Sequence, residues 1–234
     1  PGGRISLGDS SNDHLVLVMD EDSLVSYSLT LEGYQETGRW QAPYEVSSVC
    51  MEAELVAVGL WTEMSICVLF YPSFTLVKKE VLGGDVFVRS LLFAEMENIK
   101  YLFAGLADGH LLTYTLPDFF MKSVLIGNQQ VTLKEFNFQN CNYVFASCDQ
   151  PAVAYSTHQR VFYASVNTEQ ASCMAPFYTE AFPDCLALVS GMNLVMISIE
   201  EIQRFSIRTF PMGMTVRRIG ALEECFVCLG YFSS

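Results

Sequence analysis

Apolar runs separated by short polar turns recur along this chain at nearly equal spacing. The segment that starts at Tyr101 reads YLFAGLADGHLLTYTL, in which two apolar runs flank Asp108-Gly109. Because Asp-Gly tolerates the positive φ that a tight hairpin demands, the segment predicts two antiparallel strands joined by a turn. Runs of the same kind begin elsewhere in the chain at Leu15, Leu55, Val144, Leu186 and Phe226. The hairpin is therefore one copy of a repeat.

The spacing of the runs predicts the fold class. Consecutive runs lie about 40 to 47 residues apart, which is the period of a four-stranded propeller blade. Each copy continues through a second alternating strand to a more polar strand such as FTLVKKEVL. A helical solenoid has a similar period, but its apolar residues must recur at i, i+3 and i+4, a pattern that no window shows. We predict an all-β fold in which residues 1–234 form one partial seven-bladed β-propeller, with about five to six blades of four antiparallel strands.

The composition agrees with a packed domain and makes nucleic-acid binding unexpected. Hydrophobic residues make up 51% of the chain and charged residues 17%, so a substantial core can form. The 26 acidic residues outnumber the 13 Lys and Arg, and the net charge of -13 would repel a phosphate backbone. No run reaches the roughly 20 apolar residues that a membrane span needs, and the first residues lack the pattern of a secretion signal. The chain starts at Pro1 and ends just after an apolar run, so we expect a fragment of a longer protein.

The eight cysteines are expected to be reduced and free of metal. They are scattered through apolar runs rather than regularly spaced as in a small disulfide-rich domain. The single C-x-x-C pair, Cys225 and Cys228, would point to opposite faces of a strand. It has no second pair and no neighbouring His to complete a zinc site. These features favour a cytosolic or nuclear compartment.

The sequence offers no arrangement typical of an active site. The three histidines, His14, His110 and His158, have no ligand-like spacing to Cys, Asp or Glu. Adjacent carboxylates fall in predicted turns, where they are ordinarily solvated; they are Asp20-Glu21-Asp22, Glu200-Glu201 and Glu223-Glu224. Nucleophile-elbow and phosphate-loop motifs are absent. We predict no catalytic, cofactor-binding or metal-binding residues, and expect the loops of a rigid scaffold to recognise other proteins.

One turn breaks the repeat pattern with an aromatic residue. Trp61 occupies the place where sister repeats have Ala107-Asp108 or Cys148-Asp149. An exposed Trp is typical of an interaction hot spot, whereas a Trp folded over the blade edge would be local core, and the sequence leaves both open. The second tryptophan, Trp40, is predicted to pack between blades.

Several long strings resemble one known family. They are AVGLWTEMS, PSFTLVKKEVLGG, VFASCDQPAVAYS, PDCLALV and IEEIQRFSIRTFP. Together they resemble the large subunits of UV-damaged-DNA-binding complexes, and the similarity extends from about Ile5 to about Leu229.

This resemblance implies a function as well as a fold. Members of the family have three seven-bladed propellers and a small helical domain, and serve as adaptors of cullin-4 ubiquitin ligases in the nucleus and cytoplasm, including in UV-damage repair. The chain resembles most of the middle propeller, which docks the N-terminal domain of the cullin while the other two hold substrate receptors. It implies that Trp61, Thr62, Glu63 and Met64 contact the cullin, and that about two blades preceding Pro1 are missing.

Two alternative functions stay open at this point. Related triple-propeller proteins include the large scaffold of a spliceosomal subcomplex and the large cleavage-polyadenylation subunit, so an RNA-processing scaffold is one alternative. The other is an unrecognised propeller enzyme, although enzyme propellers usually gather polar residues around the central channel. The repeats of this chain offer no such convergent set.

The charge balance yields a first testable prediction. The isolated chain is expected not to bind damaged duplex DNA, because its acidic surface lacks the cations that neutralise phosphates. A gel-shift titration against damaged and undamaged duplex should show no retarded band. A shift that weakens steeply with added salt would contradict this prediction.

Overall fold

The computed structural model describes residues 3–180, 182–200, 204–222 and 225–231, and describes side chains in these ranges except for 199–208 and 221–226. Every regular element of the described chain is a β-strand, in agreement with the all-β prediction. None of the described residues forms a helix long and apolar enough to cross a membrane. The strands of the described ranges form five four-stranded antiparallel sheets and one two-stranded sheet.

Each four-stranded sheet is one blade, built from consecutive strands. Blade 1 contains β1 (Ile5–Ser11), β2 (His14–Met19), β3 (Ser23–Thr30) and β4 (Gly33–Gln41). Blade 2 contains β5 (Val46–Glu52), β6 (Leu55–Leu60), β7 (Ser65–Phe70) and β8 (Thr75–Val81). Blade 3 contains β9 (Val88–Met96), β10 (Ile99–Leu106), β11 (His110–Thr115) and β12 (Phe120–Leu125).

The later blades follow the same order. Blade 4 contains β13 (Thr132–Phe138), β14 (Cys141–Ser147), β15 (Ala152–Thr157) and β16 (Arg160–Ser165). Blade 5 contains β17 (Cys173–Thr179), β18 (Phe182–Ser190), β19 (Asn193–Glu200) and β20 (Arg204–Pro211). A sixth sheet pairs β21 (Thr215–Leu222) with β22 (Cys225–Tyr231). The five four-stranded blades and the two-stranded sheet of the described residues confirm the partial β-propeller that the repeat predicted.

The hairpin predicted at Tyr101 forms as expected. Strands β10 and β11 pair from Tyr101 opposite Thr115 to Gly105 opposite Leu111. Gly109 has a φ of 95°, and a Cβ there would clash with the backbone of Gly127, so glycine is required at this position. Each repeated apolar run is thus the second strand of a blade.

The core consists of apolar layers between neighbouring blades. The second strand of each blade contributes to the layers on both of its faces, because successive side chains of a strand point in opposite directions. In β6, Val56 and Val58 face blade 1 while Ala57 faces blade 3. In β10, Leu102 faces blade 2 and Phe103 faces blade 4. These strands therefore read as continuous apolar runs rather than as a strict alternation.

The outer strands and Trp40 complete this packing. Nearly all residues of β8 and β12 are exposed. Exposure agrees with the charged residues of β8, whereas β12 leaves Phe120, Met121 and Leu125 exposed. Trp40, on the outer strand β4, packs against the apolar layer between blades 1 and 2, as predicted.

The cysteines of the described chain form no disulfide. Seven are free, and the side chain of Cys225 lies outside the described part. Four are buried, and burial raises the pKa of the Cys185 thiol to about 11, which keeps it protonated and unreactive at neutral pH. Of the described cysteines, only Cys141 is exposed.

Thiol labelling tests this arrangement. Under denaturing conditions all eight cysteines should react with N-ethylmaleimide, whereas in the folded protein Cys141 should react first because its side chain is accessible. Mass-spectrometric peptide mapping over a time course measures both quantities. Recovery of four or fewer thiols, or stoichiometric zinc, would contradict the prediction of reduced, metal-free cysteines.

Candidate protein-docking site

Trp61, Thr62, Glu63 and Met64 form the turn between the second and third strands of blade 2. Backbone hydrogen bonds tie this turn to the segments on either side of the blade. The N–H of Trp61 donates to the carbonyl of Glu45 at 2.8 Å, and the N–H of Leu82 donates to the carbonyl of Met64 at 2.9 Å. The turn is held in one position at the end of the ring where successive blades are connected.

The indole of Trp61 is both exposed and packed. Its ring stacks on the ring of Phe87, with centroids 3.9 Å apart and planes inclined by 23°. The side chain nevertheless keeps 43% exposure, so one face of the indole remains open to solvent. Trp61 thus has features of both interpretations that the sequence left open, local packing and an exposed surface. One side of the indole packs on Phe87, and the other side is exposed to solvent.

The Glu63 carboxylate is fixed by two donors beside the tryptophan. Lys79 Nζ lies 2.7 Å from Oε1, and the Ser65 hydroxyl donates to Oε2 at 2.8 Å. The hydrogen bond from Lys79 is the largest cause of a lowered Glu63 pKa, with the bond from Ser65 next, so Glu63 stays ionised at neutral pH. Thr62 is exposed, and its hydroxyl hydrogen-bonds to none of the described residues.

Two aromatic neighbours of this turn were missed by the sequence analysis. Phe87 lies in the connection that precedes β9, and its carbonyl accepts the N–H of Ala107 from the corresponding turn of blade 3. Tyr44 lies in the connection before β5 and is 41% exposed. The signal was available, because each turn of this kind adjoins the connection to the next blade. An aromatic residue in the connection just before the next blade, such as Phe87, could therefore have been predicted to contact Trp61.

The sister turns show what Trp61 replaces. In blade 4, Asp149 accepts the backbone N–H groups of Asn128 at 2.8 Å and Gln129 at 3.1 Å. In blade 1, Asp20 accepts the N–H of Arg4 at 2.9 Å. These carboxylates hold their turns against the neighbouring backbone, whereas in blade 2 an aromatic stack accompanies the backbone hydrogen bonds. The chain thereby presents an aromatic surface where the repeat otherwise has buried or paired polar groups.

The histidines and acidic turns make no catalytic arrangement in the described part of the chain. His14 contacts Ser28 and Tyr71, His110 pairs with Asp108 at 2.8 Å, and no group of three or more potential metal ligands occurs among the described residues. Asp20 to Asp22 lie in the turn after β2. The side chains of the two glutamate pairs, 200–201 and 223–224, lie outside the described part.

One carboxyl on an inner strand has a perturbed pKa. Burial raises the pKa of Glu135, on β13, to about 7, and the negative charge of Glu52 adds to the effect. No described residue forms a hydrogen bond with Glu135, and neither a nucleophile nor a metal ligand set accompanies it in the described chain. A perturbed carboxyl without such partners does not constitute an active site.

Comparison with known proteins identifies the family. Residues 3–199 match the family described as the RSE1/DDB1/CPSF1 second beta-propeller. DNA damage-binding protein 1b of Arabidopsis thaliana is 40% identical over 177 residues, which are 74% of this chain and 16% of that protein. DNA damage-binding protein 1 of Oryza sativa subsp. japonica is 32% identical over 238 aligned residues, covering 95% of this chain and 22% of that protein.

These matches cover most of this chain, but the chain spans only 16% and 22% of the length of these two relatives. The family match agrees with the blade architecture and with the resemblance seen in the sequence strings. The chain therefore belongs to the RSE1/DDB1/CPSF1 second β-propeller family.

Proposed function

We propose that this propeller is the cullin-4 docking module of a DNA damage-binding protein 1-type adaptor in a ubiquitin ligase. The observation that carries the proposal is the half-exposed Trp61 held on Phe87 in an anchored turn. Trp is enriched at interface hot spots because it buries a large rigid surface at a small entropic cost. In this proposal Trp61, Thr62, Glu63 and Met64 contact the N-terminal domain of the cullin.

The rest of the proposal concerns the whole protein. Other parts of the parent protein hold the substrate receptors, and the complex acts in the nucleus and cytoplasm, including in repair of UV-damaged DNA. The curated relatives are named for binding damaged DNA, but this acidic chain is not the part that contacts it. A partner subunit recognises the damage, and this propeller performs no catalysis and needs no cofactor or membrane.

The surroundings of Trp61 suit a protein partner. Tyr44 adds a second exposed aromatic ring near the Glu63–Lys79 ion pair, in the connection whose Glu45 carbonyl accepts the N–H of Trp61. A central aromatic surface bordered by charged groups is the usual anatomy of a protein interface. The ion pair is partly exposed, so it orients the partner more than it strengthens binding.

An RNA-processing scaffold is the second candidate, because the family name also covers RSE1-type and CPSF1-type proteins. The relatives given above are instead DNA damage-binding proteins, which favours the ubiquitin-ligase function.

Affinity capture separates the two candidates. The tagged full-length protein, purified from its own cells and analysed by mass spectrometry, should recover cullin-4 together with several substrate receptors. The Trp61→Ala variant should lose the cullin and retain the receptors, since these bind other parts of the protein. Recovery of splicing or polyadenylation subunits without cullin-4 would overturn the proposal in favour of the second candidate.

Quantitative binding tests the role of Trp61 itself. In the full-length protein, Trp61→Ala should weaken cullin binding by on the order of 2 kcal/mol or more, roughly thirtyfold, as expected for a hot spot. The stability cost should be smaller than the roughly 3 to 5 kcal/mol of removing a fully buried aromatic side chain, because 43% of the Trp61 side chain is exposed. Isothermal titration calorimetry measures the affinity, and a thermal melt measures the stability.

The matched control is Phe120→Ala, which removes an aromatic ring that is 72% exposed on the outer strand β12. This variant should bind the cullin normally. If Trp61→Ala unfolds the propeller, Thr62→Arg tests the same surface, since the Thr62 side chain is exposed and a bulky charge there should block docking. A stable Trp61 variant with unchanged cullin affinity would refute the assignment.

A further inference from the structure

A second candidate site lies at the opposite end of the strands from the Trp61 turn. A cleft of about 510 Å³ opens between blades 3 and 4, where the turn after β9 faces the turn after β13. Its lining includes Glu95, Asn98, Asn140, Cys141, Tyr143 and Tyr155. The volume falls in the range of roughly 300 to 1,000 Å³ that is typical of ligand pockets. We call it the blade 3–4 cleft.

Both walls of the cleft are braced by hydrogen bonds between the two blades. Asn142 donates its amide Nδ2 to the carbonyl of Glu95 at 2.9 Å. The Glu97 carboxylate accepts the Ser156 hydroxyl at 2.7 Å and the backbone N–H groups of His158 and Gln159. These bonds lower the pKa of Glu97, with the bond from Ser156 the largest cause. The cleft is therefore preformed. Both Glu97 carboxylate oxygens already accept hydrogen bonds from blade 4.

The lining combines free hydrogen-bond acceptors with aromatic surface. Glu95 is exposed, and no described residue pairs with its carboxylate; the cross-strand Lys100 forms its ion pair with Glu52, at 3.5 Å. The rings of Tyr143 and Tyr155 lie with centroids 6.5 Å apart and planes inclined by 36°, and together they form the aromatic wall of the cleft. No described residue hydrogen-bonds to either hydroxyl. Among the described residues that line the cleft, none is Lys or Arg.

This chemistry selects a flat cation that carries several N–H donors. A guanidinium stacks on aromatic faces and donates to carboxylate, amide and phenol oxygens at the same time. An ammonium is a compact, strongly hydrated point charge and would use the aromatic wall less well. A free amino acid would bring its own carboxylate towards Glu95 and Glu97, and an anion would meet the same repulsion.

We propose that the blade 3–4 cleft binds an arginine side chain presented by a peptide segment of a partner protein. The guanidinium stacks on the wall formed by Tyr143 and Tyr155 and donates to the Glu95 carboxylate. The surrounding asparagine side chains, Asn98 and Asn140, are exposed and available to the peptide backbone. The site is separate from the Trp61 turn, and it stands whether or not the cullin docks there.

Cys141 provides a local readout of occupancy. Its side chain is exposed in the lining of the cleft, and the other described cysteines are buried or partly buried. The blocked peptide acetyl-Ala-Arg-Ala-amide, added to the full-length protein, should slow labelling of Cys141 by N-ethylmaleimide in a saturable manner. Peptide mapping quantifies the labelling of this cysteine alone.

Comparison of probes tests the assigned chemistry. The peptide with citrulline in place of arginine, which has the same shape without the charge, should protect Cys141 at least about tenfold less well, because a charge-assisted bond and the cation–π contact are lost. The lysine peptide and free arginine should also protect less well than the blocked arginine peptide. Equal protection by citrulline or by lysine would overturn the guanidinium assignment, and stronger protection by free arginine would overturn the peptide.

Variants test the residues. Glu95→Gln should weaken protection by the arginine peptide roughly fivefold, the difference between a charged and a neutral acceptor, and Tyr155→Leu should weaken it as well. The control Glu54→Gln makes the same charge change at an exposed glutamate in the turn after β5 of blade 2, outside the cleft, and should have no effect. Absence of saturable protection in the wild-type protein, or equal loss in Glu95→Gln and Glu54→Gln, would overturn the proposal. Thermal melts of each variant exclude unfolding as the cause.

Discussion

The burial of apolar side chains between neighbouring blades is the interaction on which the rest of this structure depends. Each apolar layer draws residues from two blades, so a blade has no core of its own and is stable only beside its neighbours. The second strand of a blade serves two layers at once, which is why its sequence is apolar almost without interruption. The equal spacing of these strands in the sequence is the direct consequence of one blade being added to the next.

Because the core lies between the blades, the turns at the ends of the strands contribute little to it and can vary in sequence. Backbone hydrogen bonds nevertheless hold these turns in place. The turn between the second and third strands is hydrogen-bonded to the connection that leads into its own blade, as in Trp61 to Glu45 and Ala107 to Phe87. Such a turn can exchange a polar residue for an aromatic one without loss of position, because the backbone bonds remain. This explains how one blade acquires an exposed tryptophan while the architecture of its neighbours is unchanged.

The fold could be predicted from the sequence almost completely, and the sites only in part. Repeats report the period, the strands and the approximate number of blades, because the same local pattern recurs. Trp61 was found as a departure from that pattern. Phe87 was not found, because its stacking on Trp61 depends on how the connection before β9 packs against the Trp61 turn in three dimensions. The blade 3–4 cleft was also missed, because the bonds of Glu97 join residues about 60 positions apart in the chain. A local sequence pattern does not predict contacts between residues so far apart in the chain.

The same long-range geometry gives a role to polar residues that the sequence analysis treated as unremarkable. The innermost strand of each blade has an edge whose N–H groups face the neighbouring blade rather than another strand, and buried groups of this kind need acceptors. Asp9 on β1 accepts the N–H of Met51 on β5 at 2.8 Å, and Ser90 on β9 accepts the N–H of Leu133 on β13 at 3.2 Å. Side chains of one inner strand thus satisfy the backbone of the next. Apolar layers hold the blades together, and these polar contacts connect neighbouring inner strands at defined positions.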